Sequence, residues 1–247
     1  NEKEILSDKY IWNFLKPWLS RKEALLERKT IYTFQSAIAK KWRKGRVFIA
    51  GDAAHLMPPF MGQGMCAGIR DASNLAWKIS LCIKNKHSGD LLDTYQTERF
   101  SNAKEYIETT MRMGEFVNAV GSDKITDNIS SQPDGTRKMQ SIKPKLGFGL
   151  GNMKDKNRGK IFPQLKMKNG KTLDDKFSTS PLLLLSSGLK KMKIKSKMPI
   201  INDNEVVGLA NLLKLYNVKA ILVRPDRFIL KTFKDLKDLN QIEHLLL

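Results

Sequence analysis

Residues that could do chemistry together occupy one uninterrupted stretch, Gly51-Asp52-Ala53-Ala54-His55-Leu56-Met57-Pro58-Pro59-Phe60-Met61-Gly62-Gln63-Gly64-Met65. Arg46 to Ala50 reads as a short strand, almost wholly apolar and of the kind buried on both faces. Its ending in Gly51-Asp52 puts a carboxylate at the carboxyl edge of a sheet, where α/β proteins bind ligands. Pro58 and Pro59 force an extended loop, because each fixes its own φ and Pro59 also restricts the residue before it. Gly62 and Gly64 let the backbone approach a ligand without a Cβ in the way. Ile69, Ala72, Leu75, Ala76, Ile79 and Ile83 then recur at helical spacing, so a helix is expected from Gly64 to about Lys84. Its leading amides and positive dipole end would face the space beside Asp52.

An acceptor for hydroxyls at one end and a stabiliser of negative charge at the other suit a flavin, through its ribityl chain and its N1/C2-carbonyl edge. Arg46-Val47-Phe48-Ile49-Ala50-Gly51-Asp52-Ala53-Ala54-His55, Pro58 through Met65, and Gly68-Ile69-Arg70-Asp71-Ala72-Ser73-Asn74-Leu75-Ala76-Trp77-Lys78 resemble the second FAD motif of the flavin-dependent aromatic hydroxylases, the single-component FAD and NAD(P)H monooxygenases. The likeness is strongest to the 3-(3-hydroxyphenyl)propanoate hydroxylases. It implies FAD as cofactor, NADH or NADPH as electron donor, and hydroxylation of a phenolic ring through a flavin C4a-hydroperoxide. Carried over by position, it implies Asp52 as the ribityl ligand. Gly62, Gln63, Gly64 and Met65 become backbone donors or close-approach positions, and Pro58 and Pro59 walls beside the flavin. No residue is assigned a catalytic role. His55 is expected to brace the loop as a neutral ring, Arg70 and Asp71 to pair on the helix surface, and Cys66 to pack.

The elements around this stretch carry weaker signals. Tyr10 to Leu19, bent at Pro17, and Arg21 to Lys29 have helical spacing, and Thr30 to Ala39 has the β-branched and aromatic composition of a strand. Leu92, Tyr95, Glu98 and Arg99 resemble the same family's L-x-x-Y-x-x-E-R helix, expected to be structural and to continue with interruptions to Val120, with Met111 and Met113 in the core. Gly121 to Leu150 lacks periodicity and reads as a long connection or lid. Beyond it a strand at Ser180–Ser187, a helix at Val206–Tyr216, a strand at Val218–Val223, a turn at Arg224-Pro225-Asp226 into Phe228-Ile229-Leu230, and a closing helix at Asp235–Leu246 alternate as in a small α/β sandwich. Gly159-Lys160-Ile161-Phe162-Pro163-Gln164 and Asn169-Gly170-Lys171-Thr172-Leu173-Asp174-Asp175 resemble the entry to the thioredoxin-like C-terminal domain of the phenol-type branch, here without cysteines and so without thiol redox chemistry.

The fold expected is α/β: the C-terminal part of a Rossmann-like FAD-binding fold followed by a small thioredoxin-like domain. Residues 1–29 would end a substrate-binding region, 30–120 belong to the FAD-binding domain, 121–158 connect, and 159–247 form the last domain. No G-x-G-x-x-G motif for the FAD pyrophosphate occurs in the 247 residues, so the likeness is to a C-terminal half. Three explanations stay open: an N-terminal half present as a separate chain or an unrecorded segment, a split or truncated gene, or an inert fragment that packs against a flavoprotein partner.

Charge sets the remaining bounds. The chain has 44 Lys+Arg against 25 Asp+Glu, a net +19. Thr136 to Ile200 alone holds 17 Lys+Arg against three Asp+Glu, and 15 of the 17 are Lys with few aromatics between them. Nucleic-acid binders add Arg for bidentate contacts and aromatics for stacking, so a specific nucleic-acid partner is not expected and any attraction should be weak and salt-sensitive. No apolar run approaches the roughly 20 residues of a membrane span. Cys66 and Cys82 have no His or Cys at metal spacing, which leaves no disulfide framework, no zinc site, and a reducing cytoplasm as the default. The expected partners are a small aromatic substrate and either an N-terminal flavoprotein half or a second copy of the chain.

Overall fold

A computed structural model describes residues 1–85, 89–118, 129–131, 134, 137–139, 142–187, 198–235 and 239. Two units separate, Asn1–Gln35 and Ser36–Leu247.

In the first unit α1 (Glu2–Ile5) and α2 (Asp8–Leu15) each carry a cap, with the Asn1 side chain accepting from the Lys3 amide and Ser7 from the Tyr10 amide. Pro17 follows the end of α2 and stops it. The helix expected over Arg21–Lys29 does not form. Ser20 and Glu23 make a capping pair and one turn follows. Leu25 is 91% exposed, so extending that turn would bury nothing and the nucleus is not propagated. The strand expected over Thr30–Ala39 shrinks to two residues in the second unit; Ile31, Tyr32 and Phe34 are exposed and pair with no strand among the described residues.

The second unit opens with β1 (Ala37–Ile38), β2 (Arg43–Lys44), β3 (Val47–Phe48) and β4 (His55–Leu56). β2 and β3 form a hairpin whose two-residue loop starts at Gly45 with φ 60°, a conformation that suits glycine. β1 pairs antiparallel with β4. The expected Arg46–Ala50 strand is therefore shorter, and it is not buried on both faces: Val47 is 68% exposed while Phe48 turns inward. α3 (Gly64–Asn85) matches the expected helix almost end to end. α4 (Asp90–Asn118) is more regular than expected, running 29 residues without a break and packing on α3. Met111, expected in the core, is 44% exposed on α4, and Met113 is half-buried. β5 (Ile129–Ser131) and β6 (Arg137–Met139) pair antiparallel within the expected long connection, most of whose residues before 142 lie outside the described residues.

The C-terminal part contains α5 (Leu173–Phe177), β7 (Leu182–Leu185), β8 (Ile200–Asn202), α6 (Leu209–Tyr216), β9 (Ala220–Val223) and β10 (Ile229–Phe233). The strands form one mixed sheet in the order β10-β9-β7-β8, with β7 and β8 parallel and the other pairs antiparallel. β7 reads Leu-Leu-Leu-Leu and β9 Ala-Ile-Leu-Val because both faces of this sheet are covered. Leu182, Leu184, Ile221 and Val223 face α6 through Leu209 and Leu213. Leu183, Leu185, Ala220 and Leu222 face the other way, onto Trp77 of α3. The sheet thus shares a core with the helix pair. Most of the closing helix expected at Asp235–Leu246 lies outside the described residues. Among the described residues no helix is long and apolar enough to cross a membrane.

Candidate functional site

Tyr95 and Gln96 on α4 fix the chain that leads to Asp52. The Tyr95 hydroxyl donates to the Ile49 carbonyl at 3.0 Å, while Gln96 accepts from the Trp42 amide at 2.9 Å and donates to the Lys40 carbonyl at 2.9 Å. Buried Trp42 stacks among Tyr95, Phe100 and His55 and closes this corner. Beyond Ile49 the backbone enters a 3-10 turn at Gly51–Ala53 that carries Asp52.

That turn is tied to α3 by Asp71, one of the functional residues that sequence reasoning misjudged. Asp71 is not on the surface: it is fully buried. Its Oδ2 accepts from the Gly51 amide at 3.0 Å and from His55 Nε2 at 2.7 Å, and its Oδ1 accepts from Arg99 Nε at 2.7 Å. Burial pushes the Asp71 carboxyl up, but the His55 and Arg99 contacts outweigh it and hold the group below the usual carboxylate value. His55 is buried as well and braces α3 through Asp71, with Nδ1 lacking a partner among the described residues. Arg70, by contrast, forms no ion pair with any described residue and stacks on Tyr106.

Two glycines let the Asp52 turn approach α3. A Cβ built on Gly68, one turn into the helix, would stand 3.3 Å from the Gly51 Cα, and Gly51 itself has φ 59°. The Asp52 carboxylate is exposed and makes no hydrogen bond or ion pair with a described residue. Pro58 is buried and Pro59 exposed; a second 3-10 turn, Pro59–Met61, ends at Gly62 in the left-handed region with φ 61° and open space where a Cβ would stand. The Ala67 amide bonds the Gln63 carbonyl at 2.8 Å, which makes Gly64, Met65 and Cys66 the first turn of α3, whose amides have no intrahelical acceptor. Met65 is exposed.

These residues fit a flavin on two structural grounds. The donor set is complementary, an acceptor-only carboxylate facing outward near a helix amide end, and the backbone between them is bare of Cβ at Gly62. Both features bind polar ligand edges by hydrogen bonding and by the positive end of a helix dipole.

Glu98 is the second group whose role the sequence understated. It does not pair with its helix neighbours Tyr95 and Arg99. Its buried carboxylate accepts from Lys78 Nζ at 2.8 Å, Asn74 Nδ2 at 3.0 Å, Arg224 Nη1 and Nη2 at 2.7 and 2.8 Å, and the Leu150 amide at 2.9 Å. Asp226 shares Arg224 and Asn74, and the Arg224 guanidinium lies over the Trp77 ring. Burial raises the Glu98 carboxyl, yet Arg224 and Lys78 reverse this and keep it ionised well below the usual range. Glu98 therefore bonds α3, α4 and the C-terminal sheet together and makes no contact with the Asp52 turn.

Residues 20–110 match the FAD binding domain family. A probable NADH-specific resorcinol 4-hydroxylase of Rhodococcus jostii is 35% identical over 191 residues, which is 76% of this chain and 36% of that protein. A 3-(3-hydroxy-phenyl)propionate/3-hydroxycinnamic acid hydroxylase of Escherichia coli is 48% identical over 89 residues, 36% of this chain and 16% of its own length. The chain thus spans about a third or less of these relatives. Among solved structures, aklavinone-11 hydroxylase in complex with FAD and aklavinone superposes with TM-score 0.56 at 21% identity, covering 86% of this chain and 45% of that one. The anhydrotetracycline hydroxylase OxyS of Streptomyces rimosus gives TM-score 0.56 at 22% identity over 80% of this chain and 43% of its own. The chain is therefore similar, over part of their length, to FAD-dependent aromatic hydroxylases, and its residues 20–110 match the FAD binding domain family.

Proposed function

We propose that residues 51–65 supply the flavin and ribityl side of the FAD site of an NAD(P)H-dependent monooxygenase that hydroxylates a phenolic aromatic compound. The observation that carries this reading is the exposed Asp52 carboxylate, held near the amide end of α3 by the Gly51–Asp71 hydrogen bond and without a hydrogen-bond or ion-pair partner among the described residues. Asp52 accepts from ribityl hydroxyls. The backbone of Gly62, Gln63, Gly64 and Met65 receives the electron-rich edge of the ring system, and the Pro58-Pro59 segment borders it. When bound, the flavin supplies electron uptake from the nicotinamide and oxygen transfer to the ring. The protein orients the flavin through Asp52 and favours negative charge on it through the α3 amides.

The pyrophosphate cradle is expected from residues outside this sequence, in the same chain or another, since the 247 residues contain no G-x-G-x-x-G. The resorcinol and hydroxyphenylpropionate named for the two relatives share a phenolic ring, and the first name supports NADH as donor. In the FAD-loaded enzyme containing this chain, Asp52→Ala should weaken FAD retention by roughly tenfold or more, as expected for losing hydrogen bonds to a charged acceptor. Turnover should fall with it. His55→Ala should lose less FAD, because its ring acts through Asp71. Gel filtration followed by flavin absorbance measures both; unchanged FAD content in Asp52→Ala, with activity lost equally in both variants, would overturn the assignment.

A further inference from the structure

Gly114 lies inside the unbroken helix α4, where glycine is disfavoured relative to alanine, and its φ is not in the left-handed region, so the backbone does not call for it. Space explains it. A Cβ on Gly114 would stand 2.8 Å from Cδ2 and 3.1 Å from Cζ of Phe60, and closer still to Cε2. Phe60 belongs to the 3-10 turn Pro59–Met61 that leads to Gly62, and this turn packs on α4. Thr110, one helical turn before Gly114 on the same face, is buried, with its hydroxyl donating to the Tyr106 carbonyl at 2.8 Å. That face of α4 therefore presents small groups and no unmet hydroxyl, and the missing side chain at Gly114 makes a seat for the Phe60 ring. Phe60 is 40% exposed, so burial in the core is not what holds it.

The two halves of the 51–65 loop are thereby fixed by different helices. The Asp52 turn is tied to α3, through the Gly51 amide on Asp71 and the close approach of Gly51 to Gly68. The Pro59–Gly64 half hydrogen-bonds within itself, from the Gly62 amide to the Pro59 carbonyl at 2.9 Å and from Gln63 Nε2 to the Met61 carbonyl at 3.5 Å. Its packing on α4 runs through Phe60 and Gly114. We propose that Gly114 is a positioning residue for the flavin ring. By seating Phe60 it sets where the Gly62–Met65 backbone stands, and hence the ring edge that this backbone receives, while the ribityl contact at Asp52 is set separately from α3. Gly114 acts through Phe60 rather than on the cofactor, and its role rests on the assignment of residues 51–65 to the flavin.

Two readouts on the full chain separate the seat from the cofactor. Hydrogen exchange without flavin reports the seat: Gly114→Ala should speed exchange of the amides at 60–65 and leave those of β7 and β9 unchanged, with unaltered far-UV circular dichroism. Saturation-transfer NMR with FAD reports the cofactor. In Gly114→Ala the FAD affinity should fall by up to about tenfold, as for losing one or two hydrogen bonds. The ratio of isoalloxazine to ribityl transfer should fall as well, a change that a general loss of fold does not produce. Phe60→Ala, at a partly exposed residue where misfolding is not expected, should reproduce both results. The double variant should lose no more than either single one, because both remove the same contact. Glu115→Ala, exposed beside Gly114, should change neither readout. Unchanged exchange at 60–65 in Gly114→Ala, additive losses in the double variant, or faster exchange with an unaltered signal ratio would each overturn the proposal. Absence of any transfer from the parent chain to the flavin would instead overturn the assignment of residues 51–65, and with it the cofactor role of Gly114, while the exchange result would still decide whether the seat exists.

Discussion

Glu98→Gln should lower the melting temperature by roughly 10 °C, from a loss of about 3–5 kcal/mol when one partner of a buried ion cluster is removed. The substitution keeps the shape of the side chain but leaves buried Lys78 without a carboxylate partner among the described residues and buried Arg224 with Asp226 alone. The effect should appear as one concerted shift, because Glu98 joins α3, α4 and the C-terminal sheet rather than one element. Acid should reproduce part of it. The Glu98 and Asp71 carboxyls are held below their ordinary values. The stability they contribute is therefore complete above the unfolded carboxylate range near about pH 4 and is lost as pH falls through the folded-state values. Thermal unfolding followed by circular dichroism from neutral pH downward should show a shallower acid slope in Glu98→Gln than in the parent. Equal slopes and a melting temperature unchanged within a degree or two would mean that the cluster is replaceable by solvent.

The second large effect is expected at Asp71. Asp71→Asn leaves the buried Arg99 guanidinium without its carboxylate and gives one amide to serve three donors, at Gly51, His55 and Arg99. A loss of about 3–5 kcal/mol follows from breaking the buried pair. Unlike Glu98, Asp71 also fixes the turn that carries Asp52, so its variant should release flavin as well as melt early. Comparing the two variants for melting temperature and FAD content separates the roles. Glu98→Gln, assayed well below its melting temperature, should keep its flavin while Asp71→Asn should not. If both variants lose stability and neither loses FAD, the link from Asp71 to the Asp52 turn carries no binding function.

This contrast also marks what the sequence could reveal. Local rules found the long helices: α3 announces itself through its apolar spacing after Gly64, and the two-faced burial of β7 and β9 is written in unbroken apolar runs. Gly62 and Gly64 stand out because each is the residue type that a left-handed turn or a bare helix start needs; Asp52 stands out as a carboxylate after an apolar run, although it sits in a 3-10 turn and not at the end of the expected strand, which stops at Phe48. Asp71 and Glu98 were hidden because their partners are remote, from 16 residues away for His55 to 126 for Arg224. On a helical wheel both look like solvated charges with basic neighbours. Lys78 misleads in the same way, lying fully buried on the helix that also buries Asp71, while Lys84 further along it is exposed. β8 was missed because three residues after a lysine-rich run carry too little pattern, and only their parallel pairing with β7 makes them a strand. The shortened strand at Thr30–Ala39 is the converse, a β-rich composition that needs a neighbouring strand, which no described residue beyond β4 provides.

Whether the flavin side of the site resides in this chain can be read directly by saturation-transfer NMR on the 247-residue protein with FAD, a method that detects even millimolar contacts. Transfer from the protein should reach the isoalloxazine and ribityl protons and largely spare the adenine protons, and Asp52→Ala should reduce the ribityl signals most. Transfer centred on the adenine, or a pattern that Asp52→Ala leaves unchanged, would contradict the assignment of residues 51–65 to the flavin and ribityl side of FAD.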